Sequence, residues 1–192
     1  MNSGVSMIDT LRDFVAKVNE IGVEYMVTGS FAMSAYGEIR MTRDIDIVMQ
    51  ILPSQADGFT HLFQSDYYVN IESVRSAIAR RSLFNIVSHA HGGKLDCIIM
   101  KDTEFARSSF ARRFKATVSG VEFWTTTKED LIIAKLNWAR DTFSEMQIRD
   151  VANLTASEYD VGYVANWVGR LDLIDIWSEV ETWKTQRRKR GT

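Results

Sequence analysis

The segment from residue 44 to residue 51 constrains the fold more than any other, because it alternates acidic and apolar residues as DIDIVMQI. Side chains alternate between the two faces of a strand, so we expect Asp44 and Asp46 on one face and Ile45 and Ile47 on the other. Two neighbouring carboxylates repel each other unless a cation lies between them or one binds a proton. For an isolated pair, the simpler interpretation is a strand that begins at the surface with both carboxylates in water.

The chain around this strand changes character near residue 125. Before that point, short apolar strands alternate with amphipathic helices, and glycine-containing turns predict hairpins over 82–100 and 115–124. We therefore predict an α+β protein, with a mixed β-sheet and flanking helices in residues 1–125 and a helical region packed on this core in residues 126–192. The predicted helices of the second part cover residues 127–141, 145–156, 160–170 and 172–187.

The composition excludes several classes of protein. The chain has 192 residues, enough for one domain or for a domain with a smaller appendage. A net charge of −2 argues against a surface that binds nucleic acid all over, so any such contact must be local. The single cysteine, Cys97, excludes an internal disulfide and is typical of a reducing compartment. Since no long apolar run or signal-peptide pattern is present, we expect a cytoplasmic protein with no membrane contact.

Three further features accompany the paired aspartates. Gly29-Ser30 forms a turn between a predicted strand and a helix, where backbone N–H groups can approach a phosphate; an ordinary turn with a serine cap is the alternative. Asp96 is the one carboxylate in the apolar strand KLDCIIM, and could instead be a strand-edge charge in water. Arg40 and Arg43 could neutralise phosphates or pair with the aspartates. Each feature alone can be explained without a binding function. Together, and in this order along the chain, they fit a site that binds metal ions and phosphates.

This order of residues resembles the nucleotidyltransferase superfamily that includes DNA polymerase β. The segment TGSFAMSAYGEIRMTRDIDIVM is similar to the minimal toxin-type members, the AbiEii/MenT group, which often carry Y-G-x-x-R-x-T-x-D-I-D here. The match is specific over about residues 22–50, and is weaker but consistent in order to about residue 154. The long gap between Gly-Ser and the first aspartate also fits this branch. The matching residues are Tyr36, Gly37, Arg40, Thr42, Asp44, Ile45 and Asp46.

The resemblance implies magnesium-dependent transfer of a nucleoside monophosphate from an NTP, with ATP among the candidates, to an acceptor, with release of pyrophosphate. Asp44 and Asp46 would hold one Mg²⁺ ion against the triphosphate. Asp96 would hold a second Mg²⁺ ion and help to activate the acceptor hydroxyl. The nucleotide contacts that the resemblance implies in the first part of the chain are Gly29, Ser30, Arg40 and Arg43.

Lys135 is an unusual residue in the helical part. On a helical wheel it falls between Leu131 and Ala139 on the apolar side, where an ammonium group needs an anion or a route to water. The toxin-type relatives carry a lysine in a similar E-D-L-x-x-x-K string, which implies that Lys135 is catalytic and contacts the nucleotide. The resemblance also implies a nucleotide contact for Asp150, on the flank of its helix's apolar stripe. The alternative is structural: Lys135 snorkels or pairs with an acid, and Asp150 forms a salt bridge.

The sequence leaves the acceptor and the partners open. The resemblance favours an RNA end, such as that of tRNA, or a protein hydroxyl over an antibiotic, and a toxin would have an antitoxin protein as partner. Two other functions use the same residues: a non-catalytic module that binds nucleotide or nucleic acid, and a metal-dependent phosphodiesterase with water as acceptor. Three tryptophans among apolar residues indicate helix packing or a homodimer seam: Trp167, Trp177 and Trp183.

Overall fold

The computed structural model describes residues 7–38, 42–89, 93–142 and 144–190, with side chains as far as residue 187. The chain divides into two compact units. The sheet unit comprises the described residues of Met1–Ala35 and Ile39–Thr126, and the helical unit comprises Tyr36–Glu38 and the described residues of Thr127–Thr192. Arg40, one of the predicted nucleotide contacts, lies outside the described residues.

The strands of the sheet unit form one mixed sheet. Its order is β3-β4-β5-β2-β1-β7-β6, numbered along the chain with the ranges given below. The central strands β2 and β5 are parallel neighbours, as are β1 and β7, and the remaining neighbours are antiparallel. The strands are β1 (Glu24–Thr28), β2 (Asp44–Gln50), β3 (Tyr67–Tyr68), β4 (Leu83–Ser88), β5 (Lys94–Ile99), β6 (Phe114–Val118) and β7 (Val121–Thr125).

Helices flank this sheet and build the second unit. Short 3₁₀ turns cover Met33–Tyr36 and Pro53–Gln55. Within the described ranges, no helix has both the length and the apolar character that a membrane crossing requires. The helices of the sheet unit are α1 (Met7–Glu20), α2 (Gly29–Ala32), α3 (Ala56–Phe63), α4 (Ile71–Arg80) and α5 (Glu104–Ala111). Those of the helical unit are α6 (Lys128–Thr142), α7 (Glu145–Leu154), α8 (Val161–Arg170) and α9 (Ile174–Arg190).

Local sequence explains where several elements begin or turn. The side chain of Asn70 accepts a hydrogen bond from the backbone N–H of Ser73 at 2.9 Å, which caps the start of α4. Thr103 caps α5 in the same way. Ser119 and Gly120 both have positive φ angles, 49° and 74°, as the two-residue turn of the β6–β7 hairpin requires. The hairpin predicted over 115–124 is therefore confirmed.

One face of the sheet is apolar and packs against α1, α3 and α4. The ring of Phe14 in α1 meets Tyr25 of β1 edge-on at 5.6 Å, and Phe59 of α3 meets Phe84 of β4 in the same way. Cys97 of β5 is fully buried on this face. The residues of β2 on this face are likewise fully buried: Ile45, Ile47 and Met49. Since period-two alternation sends the other β2 side chains to the opposite face, Asp44 and Asp46 lie there.

The helical unit has a core of its own. Helix α7 packs against α6 and α9, and α8 packs against α6. Helix α6 is buried along most of its length, which explains why its sequence shows only a weak polar face. Helix α9 continues beyond the predicted end at residue 187 and reaches Arg190. The core side chains of α6 and α7 include Leu131, Ile132, Ile133, Leu136, Ala139, Val151 and Leu154.

The predicted α+β class is confirmed, and the differences are local. The helix predicted after the Gly29-Ser30 turn already begins at Gly29, because this glycine has a φ of 64° and turns the chain out of β1. It consists of one α-turn followed by a 3₁₀ turn. Strand β3 was not predicted, since a strand of two residues is too short to show alternation.

Candidate active site

The sheet face opposite α1, α3 and α4 brings the three predicted metal-binding carboxylates together. Asp46 of β2 is in register with Asp96 of β5, and Asp44 is in register with Lys94. Residues directly opposite each other on neighbouring strands place their side chains on the same face. Asp44, Asp46 and Asp96, which we call the acidic cluster, therefore share one face at the first half of two central strands.

Lys94 supplies a positive charge within the acidic cluster. Its Nζ donates a hydrogen bond to Asp96 Oδ2 at 3.0 Å and lies 2.9 Å from Asp96 Oδ1 and 3.9 Å from Asp44 Oδ2. The hydrogen bond to Asp96, with the charges of Asp96, Asp44 and Asp46, raises the pKa of Lys94 above its ordinary value. The ammonium group is therefore charged at neutral pH and partly neutralises the three carboxylates.

The residues before β2 orient one of these carboxylates. The hydroxyl of Thr42 lies 2.9 Å from Asp44 Oδ1 and 3.0 Å from the backbone carbonyl oxygen of Asp44, and can donate to either. Arg43, a predicted nucleotide contact, is exposed immediately before the strand. The start of β2 thus presents a carboxylate that a local hydroxyl can hold, next to a guanidinium group in water.

Gly29 lies against the acidic cluster. With its φ of 64° it adopts a left-handed conformation that favours glycine. A Cβ atom at this position would lie 2.7 Å from the carboxylate carbon of Asp46 and closer still to Oδ2, so any side chain would displace that carboxylate. Ser30 follows at the second position of the one-turn helix α2. The predicted phosphate-binding turn and the predicted metal ligand therefore meet in space, although they are distant in sequence.

The donor set of the acidic cluster fits a hard divalent cation such as Mg²⁺. All three groups are carboxylates, the ligand type that Mg²⁺ prefers. The Asp96 carboxylate is engaged by the Lys94 ammonium group, which lies within 3.0 Å of both of its oxygens. In the described residues, however, no three acidic, histidine or cysteine side chains converge as metal ligands. For a cation to use these carboxylates, the Lys94 ammonium group would have to leave Asp96.

Two polar residues of this face were not predicted. Lys94 begins a strand beside a turn, where a lysine usually projects into water, and its register with Asp44 places it beside the carboxylates of β2. Asn85 of β4 is in register with Asp96 on the other side of β5 and is exposed. Its amide offers both a donor and an acceptor beside the acidic cluster. The alternation in the strand sequences LFNIVS and KLDCII places both residues on the polar face.

Cys97 takes no part in the chemistry of this face. It follows Asp96 in β5 and therefore points to the apolar face. Burial raises the pKa of its thiol far above the ordinary value, so the group stays protonated and is a poor nucleophile. Asp102, the other carboxylate near the end of β5, is exposed and pairs with Arg107.

In the helical unit, Lys135 and Asp150 form a buried ion pair. The Nζ atom of Lys135 donates hydrogen bonds to Asp150 Oδ2 at 2.8 Å and to Gln147 Oε1 at 3.1 Å. Only 4% of the lysine side chain and 2% of the aspartate side chain are exposed. Asp150 thus lies in the core rather than on the flank of its helix, because its side chain faces Lys135 of α6, which packs against α7. The structural alternative, a salt bridge between these residues, is present.

A second buried carboxylate begins α6. Asp130 is fully buried, and it accepts hydrogen bonds from the hydroxyls of Tyr163 and Thr127, both at 2.7 Å. Its backbone N–H donates to the Thr127 hydroxyl, as in a helix cap. This network joins α6 to α8 and explains why an acidic residue is tolerated in the core.

Comparison with known proteins identifies the fold but not a family. No family model matches the chain, and no curated protein matches its sequence. The structure is similar to the antibiotic-resistance factor ANT(2'')-Ia, with a TM-score of 0.51 and 14% identity over 95% of this chain and 91% of that one. The lincosamide antibiotic adenylyltransferase LnuA gives a TM-score of 0.53 and 12% identity, over 80% of this chain and 98% of the other.

A third similar structure comes from a fungus. The antigenic nucleotidyltransferase-like protein of Paracoccidioides brasiliensis gives a TM-score of 0.52 and 14% identity, over 91% of this chain and 92% of that protein. At such low identity the likeness concerns the backbone architecture alone. The chain has the nucleotidyltransferase fold.

Proposed function

We propose that this chain is a magnesium-dependent nucleotidyltransferase that transfers a nucleoside monophosphate from an NTP to an acceptor hydroxyl. The observation that carries the proposal is the register of Asp46 with Asp96 on two parallel central strands, which places three carboxylates on one face beside the turn at Gly29. The resemblance of the segment around the first two aspartates and the nucleotidyltransferase fold both support this function.

In the proposed reaction, the acceptor oxygen attacks the α-phosphorus of the NTP. The bond from this phosphorus to the oxygen that bridges the α- and β-phosphates breaks, and pyrophosphate leaves. We assign the Asp96 carboxylate to accept the proton of the acceptor hydroxyl, once the Lys94 ammonium group, 2.9 Å from Oδ1, has moved away. Mg²⁺ ions held by Asp44, Asp46 and Asp96 would supply positive charge to the attacking and leaving oxygens.

The other predicted contacts divide into two groups. Gly29, Ser30 and Arg43 belong to the sheet unit, and we propose that they hold the phosphates, together with Arg40. Lys135 and Asp150, the predicted contacts of the helical unit, bind each other in the core. For Lys135 to reach a phosphate, its bonds to Asp150 and Gln147 would have to break, so we propose first that this pair stabilises the helical unit.

The acceptor that we propose is an RNA end or a protein hydroxyl, and the chain would then act as a toxin with an antitoxin partner. Support comes from the string between Tyr36 and Asp46, which is similar to toxin-type members. Several basic residues of the sheet unit pair with acids, as Arg113 does with Glu24 and Lys115 with Glu122. An RNA would therefore be held at its end rather than along an extended basic surface.

A labelling experiment tests the proposal. The purified chain is incubated with Mg²⁺, each of the four α-³²P-labelled NTPs in turn, and cell extract separated into RNA, protein and small-molecule fractions. We expect label in the RNA or the protein fraction, no label with Asp46→Asn, and undiminished label with the matched control Asp102→Asn, an exposed carboxylate outside the acidic cluster. Label in the small-molecule fraction would retain the transfer reaction but refute the proposed acceptor.

A second candidate function is a non-catalytic nucleotide-binding module of the same fold. The observation in its favour is the ammonium group of Lys94, which already neutralises part of the acidic cluster. This alternative predicts that the chain binds an Mg²⁺–NTP complex, measured by calorimetry, but labels no fraction with any NTP. It would replace the transferase proposal if that result persisted when all fractions were combined.

A further inference from the structure

The acidic cluster contains its own cation. Lys94 begins β5 beside Asp44, and its flexible stem carries the ammonium group two residues along the strand to Asp96. The ammonium lies between carboxylates of two neighbouring strands, 2.9 Å from Asp96 Oδ1 and 3.9 Å from Asp44 Oδ2. Any metal ion that uses these carboxylates must compete with Lys94 for the same oxygens.

The ion pair between Lys94 and the acidic cluster forms in the absence of metal, but a divalent cation can displace it. Three carboxylates on one face repel each other, and one nearby ammonium group reduces this repulsion. The Lys94 side chain is 39% exposed, and an ion pair with such access to water contributes little net free energy. A divalent cation attracts the carboxylates more strongly, but displacement leaves the ammonium group without its anions. The phosphates of a nucleotide would offer it new ones.

We propose that Lys94 is a tethered counter-ion, which holds the acidic cluster together without nucleotide and moves to a phosphate when metal and nucleotide bind together. This inference rests on the proposed function. Metal binding and nucleotide binding then depend on each other. The metal ion replaces the positive charge that Lys94 takes away from the carboxylates, and the phosphates replace the negative charge that Lys94 loses. Such coupling is reciprocal: nucleotide must tighten metal binding by the same factor as metal tightens nucleotide binding. Lys94 would be a positioning residue for the triphosphate and a competitor of the free metal ion.

The test measures metal affinity rather than turnover. Mn²⁺ binding to the full chain is followed by the electron paramagnetic resonance signal of free Mn²⁺, with and without the α,β-methylene analogues of ATP, CTP, GTP and UTP, each in turn. The variant Lys94→Met removes the charge and keeps the length of the side chain, and Lys94→Arg keeps the charge. Lys115→Met is the matched control, since Lys115 is an exposed lysine of the same unit that pairs with Glu122. Asp46→Asn identifies the Mn²⁺ that binds at the acidic cluster.

We expect Lys94→Met to bind Mn²⁺ alone at least about tenfold more tightly than the wild type, which corresponds to about 1.4 kcal/mol. At least one nucleotide analogue should tighten Mn²⁺ binding to the wild type, and should tighten it much less in Lys94→Met. Lys94→Arg should behave like the wild type, and Lys115→Met should change neither affinity. An Mn²⁺ affinity of folded Lys94→Met within about twofold of the wild type would overturn the inference.

The outcomes also separate this inference from the proposed function. If no fraction is labelled in the transfer experiment but Lys94→Met still tightens Mn²⁺ binding and uncouples it from nucleotide, the counter-ion role stands and catalysis is refuted. If label is transferred but Lys94→Met leaves Mn²⁺ affinity and its coupling unchanged, the transferase stands and the counter-ion role is refuted. Circular dichroism of each variant establishes that it is folded.

Discussion

Two lysine–aspartate ion pairs in this chain have the same chemistry and nearly the same length, but they differ in their access to water. In the helical unit, Lys135 Nζ lies 2.8 Å from Asp150 Oδ2, and the side chains are 4% and 2% exposed. In the sheet unit, Lys94 Nζ lies 2.9 Å from Asp96 Oδ1, and the side chains are 39% and 19% exposed. Water reaches part of both side chains of the second pair and almost none of the first.

This difference in access predicts different roles. If a buried pair loses one partner, the other charge remains in the core without compensation, so the protein is strongly destabilised. If an exposed pair loses one partner, water solvates the remaining charge and little stability is lost. The buried pair is therefore expected to hold its unit together, while the exposed pair is available to an arriving metal ion or phosphate.

The largest expected effect is that of Lys135→Met on stability. This substitution removes the ammonium group that faces the buried Asp150 carboxylate, and should lower the free energy of unfolding by about 3–5 kcal/mol. Urea unfolding followed by tryptophan fluorescence measures the change, since four of the five tryptophans belong to the helical unit. The double variant Lys135→Met/Asp150→Leu should recover much of the loss, because it removes both buried charges.

The matched control for this prediction is Lys184→Met, which breaks the more exposed pair of Lys184 with Glu181 in the same unit and should change stability by less than about 1 kcal/mol. If Lys135→Met were no more destabilising than this control, burial would not distinguish the two pairs. The folded double variant also tests the predicted catalytic role of Lys135: if it transfers label as fast as the wild type, Lys135 acts only in the structure.

The second prediction concerns Gly29→Ala, which pushes a methyl group into the carboxylate of Asp46. A backbone conformation that disfavours alanine and the displaced carboxylate together should lower the free energy of unfolding by about 1–3 kcal/mol. The rate of label transfer should fall by at least about 100-fold, because small displacements of a reacting group have large effects on rate. Amide hydrogen exchange of β1 and β2 measures the first effect, and the labelling experiment measures the second.

Gly22→Ala separates the clash from the backbone strain. Gly22 has nearly the same φ, 65°, but an added Cβ would contact nothing within 4 Å. This variant should lose a similar amount of stability from strain alone and keep its rate of transfer. Equal rates for Gly22→Ala and Gly29→Ala would show that the position of Asp46 does not matter for the reaction.

Lys94→Met should have a smaller effect on stability than either of these changes. Its exposed pair predicts a loss of less than about 1 kcal/mol in the absence of divalent ions. Added Mg²⁺ should stabilise Lys94→Met more than the wild type, because the ion then binds the folded state without competition. Thermal unfolding at increasing Mg²⁺ concentration measures this difference. An identical response of the two proteins to Mg²⁺ would contradict competition between Lys94 and the metal ion.

The sequence predicts the two central strands of this site, but it does not predict how these strands pair. The alternation in DIDIVMQI identified the acidic face and the core face of β2, because period two is a local property. The pairing of Asp46 with Asp96 joins strands that are about fifty residues apart, and no local pattern specifies which residues will be in register. The alternation in KLDCII places Lys94 on the face of Asp96, but only the register places it beside Asp44.

In the helical unit, the sequence likewise predicts the apolar side of a helix but not how deeply a residue on it is buried. The helical wheel placed Lys135 between Leu131 and Ala139 on the apolar side of α6, and all three residues are buried. Asp150 was predicted on the flank of an apolar stripe but is buried, because α6 packs against α7 and places Lys135 beside it. Local pattern thus identifies the face of an element, while tertiary contact decides how much of that face water can reach.

A third pair, between Lys17 and Asp66, gives the smallest expected effect and extends the comparison to pH. Nζ of Lys17 donates a hydrogen bond to Asp66 Oδ2 at 2.7 Å, with 55% of the aspartate side chain exposed. This hydrogen bond lowers the pKa of Asp66 below its unfolded value near 3.8. A carboxyl group whose pKa is lower in the folded state contributes stability above the unfolded pKa, and loses that contribution as the pH falls through the folded pKa.

Thermal unfolding of the wild type and Asp66→Asn should therefore show a small difference in Tm at pH 6 that disappears in strong acid. A difference that stays constant with pH would mean that the charge of Asp66 does not contribute to the stability of the folded state. An ion pair this exposed to water would then not stabilise the fold.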